Sequence, residues 1–183
     1  MKKQKNFQLV TISVLVFAVL FMAIGFAAYA QTLKINGTVN VAKSKWSVHF
    51  VENQYQEEAN SVAATNHSVG ETNFSFTASL AAPGDYYAAN IKVINDGTFN
   101  AILDSINMST LSAEQAKYLT YTVEYGGTPF SASASGLNTA LTVGQTVDVL
   151  VRVDYVQPDD AADLPQENIT VNLSADLNYS QAN

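Results

Sequence analysis

Three stretches in the C-terminal half place an apolar residue at every second position, and this alternation limits the possible folds more than any other feature. Leu119, Tyr121, Val123 and Tyr125 alternate into Gly126-Gly127, which reads as a hairpin turn. Val147, Val149, Val151, Val153 and Tyr155 share one face, and Ile169, Val171, Leu173, Ala175, Leu177 and Tyr179 share another. A period of two is what a half-buried strand requires, because successive side chains point to opposite faces of a sheet. Earlier runs repeat it: Leu33, Ile35, Val39 and Val41 with Gly37 between them; Trp46, Val48 and Phe50; Phe74 and Phe76; Tyr87, Ala89, Ile91 and Val93; then Ile102, Ile106 and Met108. Ser112 with Gln115 three residues later fits a capping box and predicts a short helix over 113–119. So many strands with so little helix predict an all-β fold, an antiparallel two-sheet sandwich of jelly-roll or immunoglobulin-like kind.

The N-terminus obeys a different rule. Lys2, Lys3 and Lys5 precede a stretch from Asn6 to Leu33 with no charged residue, and its apolar centre runs from Leu9 to Ala28. A basic start, an apolar middle and the small-residue exit Ala28-Tyr29-Ala30 before Gln31 fit a signal peptide. The run also reaches the roughly 20 residues that span a bilayer, so an uncleaved anchor helix is the second reading. The expected organisation is a signal or anchor helix over 1–30 and a β-sandwich over 31–183. Either reading sends the remainder out of the cytoplasm, secreted or held at the cell surface, with a signal peptidase as a transient partner. Membrane contact is then confined to the N-terminal helix, and only if that helix is retained.

From Gln31 onward the chain carries six basic and sixteen acidic residues, a net charge of −10. Such a domain is poorly matched to nucleic acid or to an anionic membrane surface, and no nucleic-acid partner is expected. Cysteine is absent, so the core must hold the fold without disulfides.

Chemistry-bearing motifs are scarce. The two histidines, His49 and His67, stand outside any HExxH arrangement, and no GxSxG, P-loop or dinucleotide fingerprint occurs. Asp159, Asp160 and Asp163 in the loop between the last two strands offer oxygen atoms suited to calcium, but their spacing is that of a solvated acidic loop rather than an EF-hand. No catalytic residue, metal ligand or cofactor is expected.

The stretch from Leu80 to Ala101 is the most distinctive. Pro83-Gly84-Asp85 forms a turn before the strand containing Ile91 and Val93, and Asn95-Asp96-Gly97-Thr98 forms a second turn after it, with the Asp-Gly signal of a hairpin. This combination, with the leader and first strand, resembles the exported matrix proteins of Gram-positive bacteria typified by TasA and camelysin, whose export typically depends on the signal peptidase SipW. The likeness covers the leader, the first strand and residues 80–106. The resemblance implies a jelly-roll domain at the cell surface or in the biofilm matrix that polymerises into fibres. Some camelysin-like relatives are described as metallopeptidases, and no ligand motif here receives that role.

The first strand is where assembly would act. Leu33, Ile35, Val39 and Val41 form an apolar row that either pairs within its own sheet or adds to the sheet edge of another copy. The expected function is that of a non-enzymatic, self-associating structural protein. The alternative is a monomeric adhesion or ligand-binding module using the loops Glu52–Glu71 and Gln157–Glu167.

Overall fold

Tyr87, Ala89, Ile91, Val93 and Asn95 share one face of a ten-residue strand and are all buried, as their alternation requires. The computed structural model in which this strand is central describes residues 2–29, 34, 36–167 and 169–182, with side chains in the N-terminal helix from Phe7 to Phe21. In chain order the elements are α1 (Lys2–Tyr29), β1 (Val48–Phe50), β2 (Gln56–Glu57), β3 (Asn66–Val69), β4 (Phe74–Thr77), β5 (Tyr86–Asn95), β6 (Ala101–Met108), β7 (Leu119–Tyr125), β8 (Thr128–Phe130), β9 (Ala134–Leu141), β10 (Thr146–Tyr155) and β11 (Ala175–Gln181). Every pairing is antiparallel. The larger sheet has the order β1-β5-β10-β7-β8 with β2 also on β5. A smaller sheet has the order β11-β6-β9, and β3 and β4 form a separate pair.

The chain divides into two units, Met1–Ala42 and Lys43–Asn183. In the first, the described side chains of α1 are all exposed, and among the described residues no helix is long and apolar enough to cross a membrane. In the second, the chain alternates between sheets after β5: β6 joins the smaller, β7 and β8 the larger, β9 the smaller, β10 the larger and β11 the smaller. Val93, Val123, Val149 and Val151 from one sheet and Leu103, Ile106 and Leu141 from the other meet in one apolar cluster. Burying each such side chain stabilises the fold by about 1.5–3 kcal/mol, which is how a cysteine-free domain can stand.

The ends of β5 are fixed by different means. At its start Gly84 takes a φ of 102°, and the Asp85 carboxylate Oδ2 accepts from the amides of Ala81 at 2.7 Å and Ala82 at 2.9 Å. The main chain there exchanges bonds with Tyr155 at the end of β10.

The far end corrects the hairpin expectation. β5 and β6 do not pair, and they belong to different sheets. Gly97 does not adopt a left-handed φ; it serves a close approach instead, since an added Cβ would lie 2.8 Å from the Lys45 carbonyl oxygen and 2.9 Å from the Ser47 nitrogen. Main-chain bonds from Asp96 to Ser47 and from Thr98 to Lys45 hold that approach. Gly97→Ala is therefore expected to lower stability by about 1–3 kcal/mol through overpacking, read from the urea midpoint.

Other departures have local causes. The expected face of Ile102, Ile106 and Met108 is instead Ala101, Leu103, Ile106 and Met108, because β6 shifts register between Leu103 and Ser105. An inserted residue reverses the parity of everything beyond it. Ser112 and Gln115 do form the reciprocal cap, at 2.9 and 3.2 Å, but the predicted helix is only a 3-10 turn over Gln115–Lys117, since Leu119 already begins β7. Of the last predicted strand only 175–181 pairs, because its partner β6 ends at Met108.

The segment Glu52–Glu71, read from its lost periodicity as a long loop or a weakly paired edge, holds a 3-10 turn and the short strands β2 and β3. Together with β1 it runs along β5, with Val51, Glu58 and Val62 donating to Lys92, Ala88 and Tyr86 carbonyls. This occupies one edge of β5. Of the strand expected over 33–41, Lys34 and 36–41 lie outside any helix or strand, as do 42–47, while Leu33 and Ile35 lie outside the described residues.

Candidate functional site

β11 is an edge strand of the smaller sheet, and its outer flank meets no strand among the described residues. Its inward side chains, Ala175, Leu177 and Tyr179, are half-buried while Asp176 and Asn178 are exposed, so the edge is amphipathic. Beside it lies a cleft of about 200 Å³ whose other wall is Val48, His49 and Phe50 of β1 with Glu71 and Thr72. Val48, Phe50, Leu177 and Tyr179 continue from the apolar core, being packed against it without being fully covered. The outer side of β1 is partly taken, since the Phe50 amide donates to the Glu71 carbonyl at 2.8 Å. The open flank is that of β11. The charged side chains lining the cleft are acidic, Glu71 and Asp176, with His49 beside them.

His49 belongs to a small polar group at the Gly97 corner. Its Nδ1 lies 3.4 Å from Ser47 Oγ and 3.6 Å from Asp96 Oδ1, and Lys45 Nζ pairs with Asp96 at 3.2 Å. Hydrogen bonding from Ser47, then from Lys45, holds the Asp96 carboxyl below its ordinary range. Serine and aspartate approach the same ring nitrogen, so the trio has no relay from carboxylate through imidazole to hydroxyl of the kind acyl transfer uses. It ties the segment before β1 to the corner.

A second group fastens the β3–β4 pair to the larger sheet. The ring of His67 stacks on Tyr55 at 4.0 Å, Phe74 and Phe76 follow at 5.6 Å from each other, and Phe76 stacks on Tyr87 at 4.3 Å. Tyr55 donates to Glu57 Oε1 at 2.6 Å and lies 3.2 Å from the Tyr87 hydroxyl. The Tyr55 bond, then the Ala64 amide, lowers the Glu57 carboxyl below its ordinary range.

Burial raises the Tyr55, Tyr87, Tyr125 and Tyr179 phenols, and lifts that of Tyr121 from 10.0 to about 12. A raised phenol favours the fold while neutral. That stability is complete below the ordinary tyrosine pKa and is lost as pH rises through the folded value. Circular dichroism should therefore show unfolding beginning above pH 10.0 and tracking tyrosinate absorbance toward about 12; a fold unchanged across that window would contradict the burial of these rings.

The residues singled out from sequence are distributed as follows. Pro83, Gly84 and Asp85 and then Asn95, Asp96 and Gly97 stand at opposite ends of β5. Val39 and Val41 are 85% and 89% exposed. Ala28 lies in α1, and Ala30 and Gln31 lie outside the described residues. Two acids of the candidate calcium loop are engaged locally, Asp160 accepting from the Ala162 amide and Asp163 pairing with Lys117 at 2.9 Å; among the described residues no group of three or more His, Asp or Glu converges as for a metal.

Sequence reasoning placed Asn95 in the second turn but missed its role as a buried tie. It is 1% exposed, donates from Nδ2 to the carbonyls of Phe99 and Leu141, each at 2.9 Å, and accepts from the Gly97 amide at 3.1 Å. The available signal was parity, since position 95 continues the buried row 87, 89, 91, 93.

No family model matches the chain, and no curated protein matches it at significance.

Proposed function

We propose that this chain is an exported structural protein of a Gram-positive cell surface or biofilm matrix, similar to the TasA and camelysin group. In this reading the domain is a two-sheet antiparallel sandwich of jelly-roll kind, the alternation of the chain between its sheets being what such a fold requires. Copies associate by strand addition, residues 33–41 of one lying along β11 of the next.

The observation that carries this reading is the mismatch between a free amphipathic segment and a free amphipathic edge. Val39 and Val41 alternate with polar residues yet stay almost fully exposed, while β11 presents an unpaired flank above a half-covered apolar floor. A strand laid there gains main-chain bonds from β11 and buries its apolar row in the cleft. Charge supports the match: residues 33–41 contain Lys34 and no acid, with Lys43 just beyond, whereas Glu71 and Asp176 line the cleft.

Glu71→Gln with Asp176→Asn tests this electrostatic part. Light scattering at low ionic strength should show slower assembly than for the unaltered protein, with the difference shrinking as salt screens the pairs over roughly a 10 Å Debye length near 0.1 M. Unchanged rates at every salt concentration would remove the charge match from the account.

A further inference from the structure

The sequence contains one Asn-Gly pair, Asn36-Gly37, and one Asp-Gly pair, Asp96-Gly97. Both dipeptides can cyclise through the same atoms, the glycine nitrogen attacking the preceding side-chain carbonyl carbon. The two stand in opposite surroundings. Asn36 and Gly37 are exposed and lie outside any helix or strand, and nothing stands within 4 Å of where a Gly37 Cβ would be. At the other pair the Gly97 amide is buried and donates to Asn95 Oδ1 at 3.1 Å. The Asp96 carboxylate there is held by Lys45, and the chain at 45–47 closes over Gly97.

We infer that Asn36 is a site of spontaneous deamidation, and that the Asp96-Gly97 pair is protected by the fold. The Gly37 nitrogen forms a bond to Asn36 Cγ and its proton leaves with the side-chain nitrogen as ammonia. The resulting five-membered imide is opened by water at either carbonyl, giving aspartate or isoaspartate. Water is the only co-reactant, and nothing is oxidised or reduced. A glycine at the second position has no Cβ to hinder the attack, and an unpaired backbone can reach the required geometry.

The change falls inside the segment that the assembly reading makes the added strand, and its consequence rests on that reading. The product puts a negative charge two residues from Lys34, the one charged residue of that segment. Its isoaspartyl form also adds one backbone carbon between Ile35 and Val39, which breaks the alternation that register depends on. A copy already paired in a fibre would be held extended and spared, so the modification acts as a timer on unassembled copies.

The test incubates the full chain, kept monomeric by dilution, at mildly alkaline pH beside a free peptide spanning 34–39, and follows both by peptide mass spectrometry. The expected result is an amide-to-acid mass shift at Asn36 advancing at the free peptide's rate, loss of that shift in Asn36→Gln, marked slowing in Gly37→Ala, and no isoaspartate at Asp96 by chromatography. An Asn36 amide that persists while the peptide converts, or an Asp96 that isomerises first, would overturn the inference. Assembly of the aged material separates the two claims: lost assembly supports the timer, whereas undiminished assembly after full conversion overturns the timer and leaves the modification site in place.

Discussion

Replacing Asn95 with alanine is expected to destabilise the domain by about 3 kcal/mol or more, read as a large fall in the urea midpoint, because buried groups left without partners cost roughly 1–3 kcal/mol each. The carboxamide satisfies three main-chain groups at once: the carbonyls of Phe99 and Leu141 and the amide of Gly97. They belong to two parts of the chain, the turn between β5 and β6 and the end of β9, and the side chain that joins them is 1% exposed. Asn95→Asp should fare little better, since it removes the donor and buries a charge. An Asn95→Ala protein with an unchanged midpoint would mean that the corner is held by its neighbours alone.

The second large effect concerns association rather than folding. If copies associate by the proposed strand addition, the double change Val39→Asp with Val41→Asp should abolish that association while leaving the stability of the monomer within about 0.5 kcal/mol, as befits surface positions. The two valines are 85% and 89% exposed, so the folded monomer loses no packing. In the assembled state each would be buried, and each then contributes about 1.5–3 kcal/mol that a carboxylate would turn into a desolvation cost. Val39→Ile with Val41→Ile keeps the apolar row and should assemble, which separates the chemistry of the row from mere alteration of the segment.

Strand alternation was legible wherever one face is buried and the other wet. Tyr87 to Val93, Leu119 to Tyr125 and Val147 to Val153 all lie in strands, in phase with the core. What local sequence does not carry is which strand pairs with which. The Asp-Gly at 96–97 has the composition of a hairpin, yet it turns a corner between sheets because the segment Lys45–Ser47 occupies the place where β6 would return along β5. The bulge in β6 left no mark that a period-two reading could detect, since it is a property of how β11 and β9 meet that strand. The edge position of β11 was likewise invisible from its own residues. Ile169 to Leu173 alternate as cleanly as Ala175 to Tyr179, and only the length of β6 decides which of them pairs. The run from Lys45 to Val62, which lines one edge of β5, was not legible either, because its main-chain bonds go to residues distant in sequence.

The absence of cysteine makes a direct measurement of the assembly possible. Protein carrying Val39→Cys is mixed with protein carrying Ala175→Cys or Leu177→Cys, allowed to associate, oxidised and separated without reductant. Disulfides form only between residues whose Cα atoms come within about 7 Å, so the gel reports which strands lie side by side. Strand addition to β11 predicts mixed pairs joining one copy's position 39 to another's position 175 or 177, and ladders when both changes are in one chain. Association that proceeds with no mixed pairs at either position would contradict it.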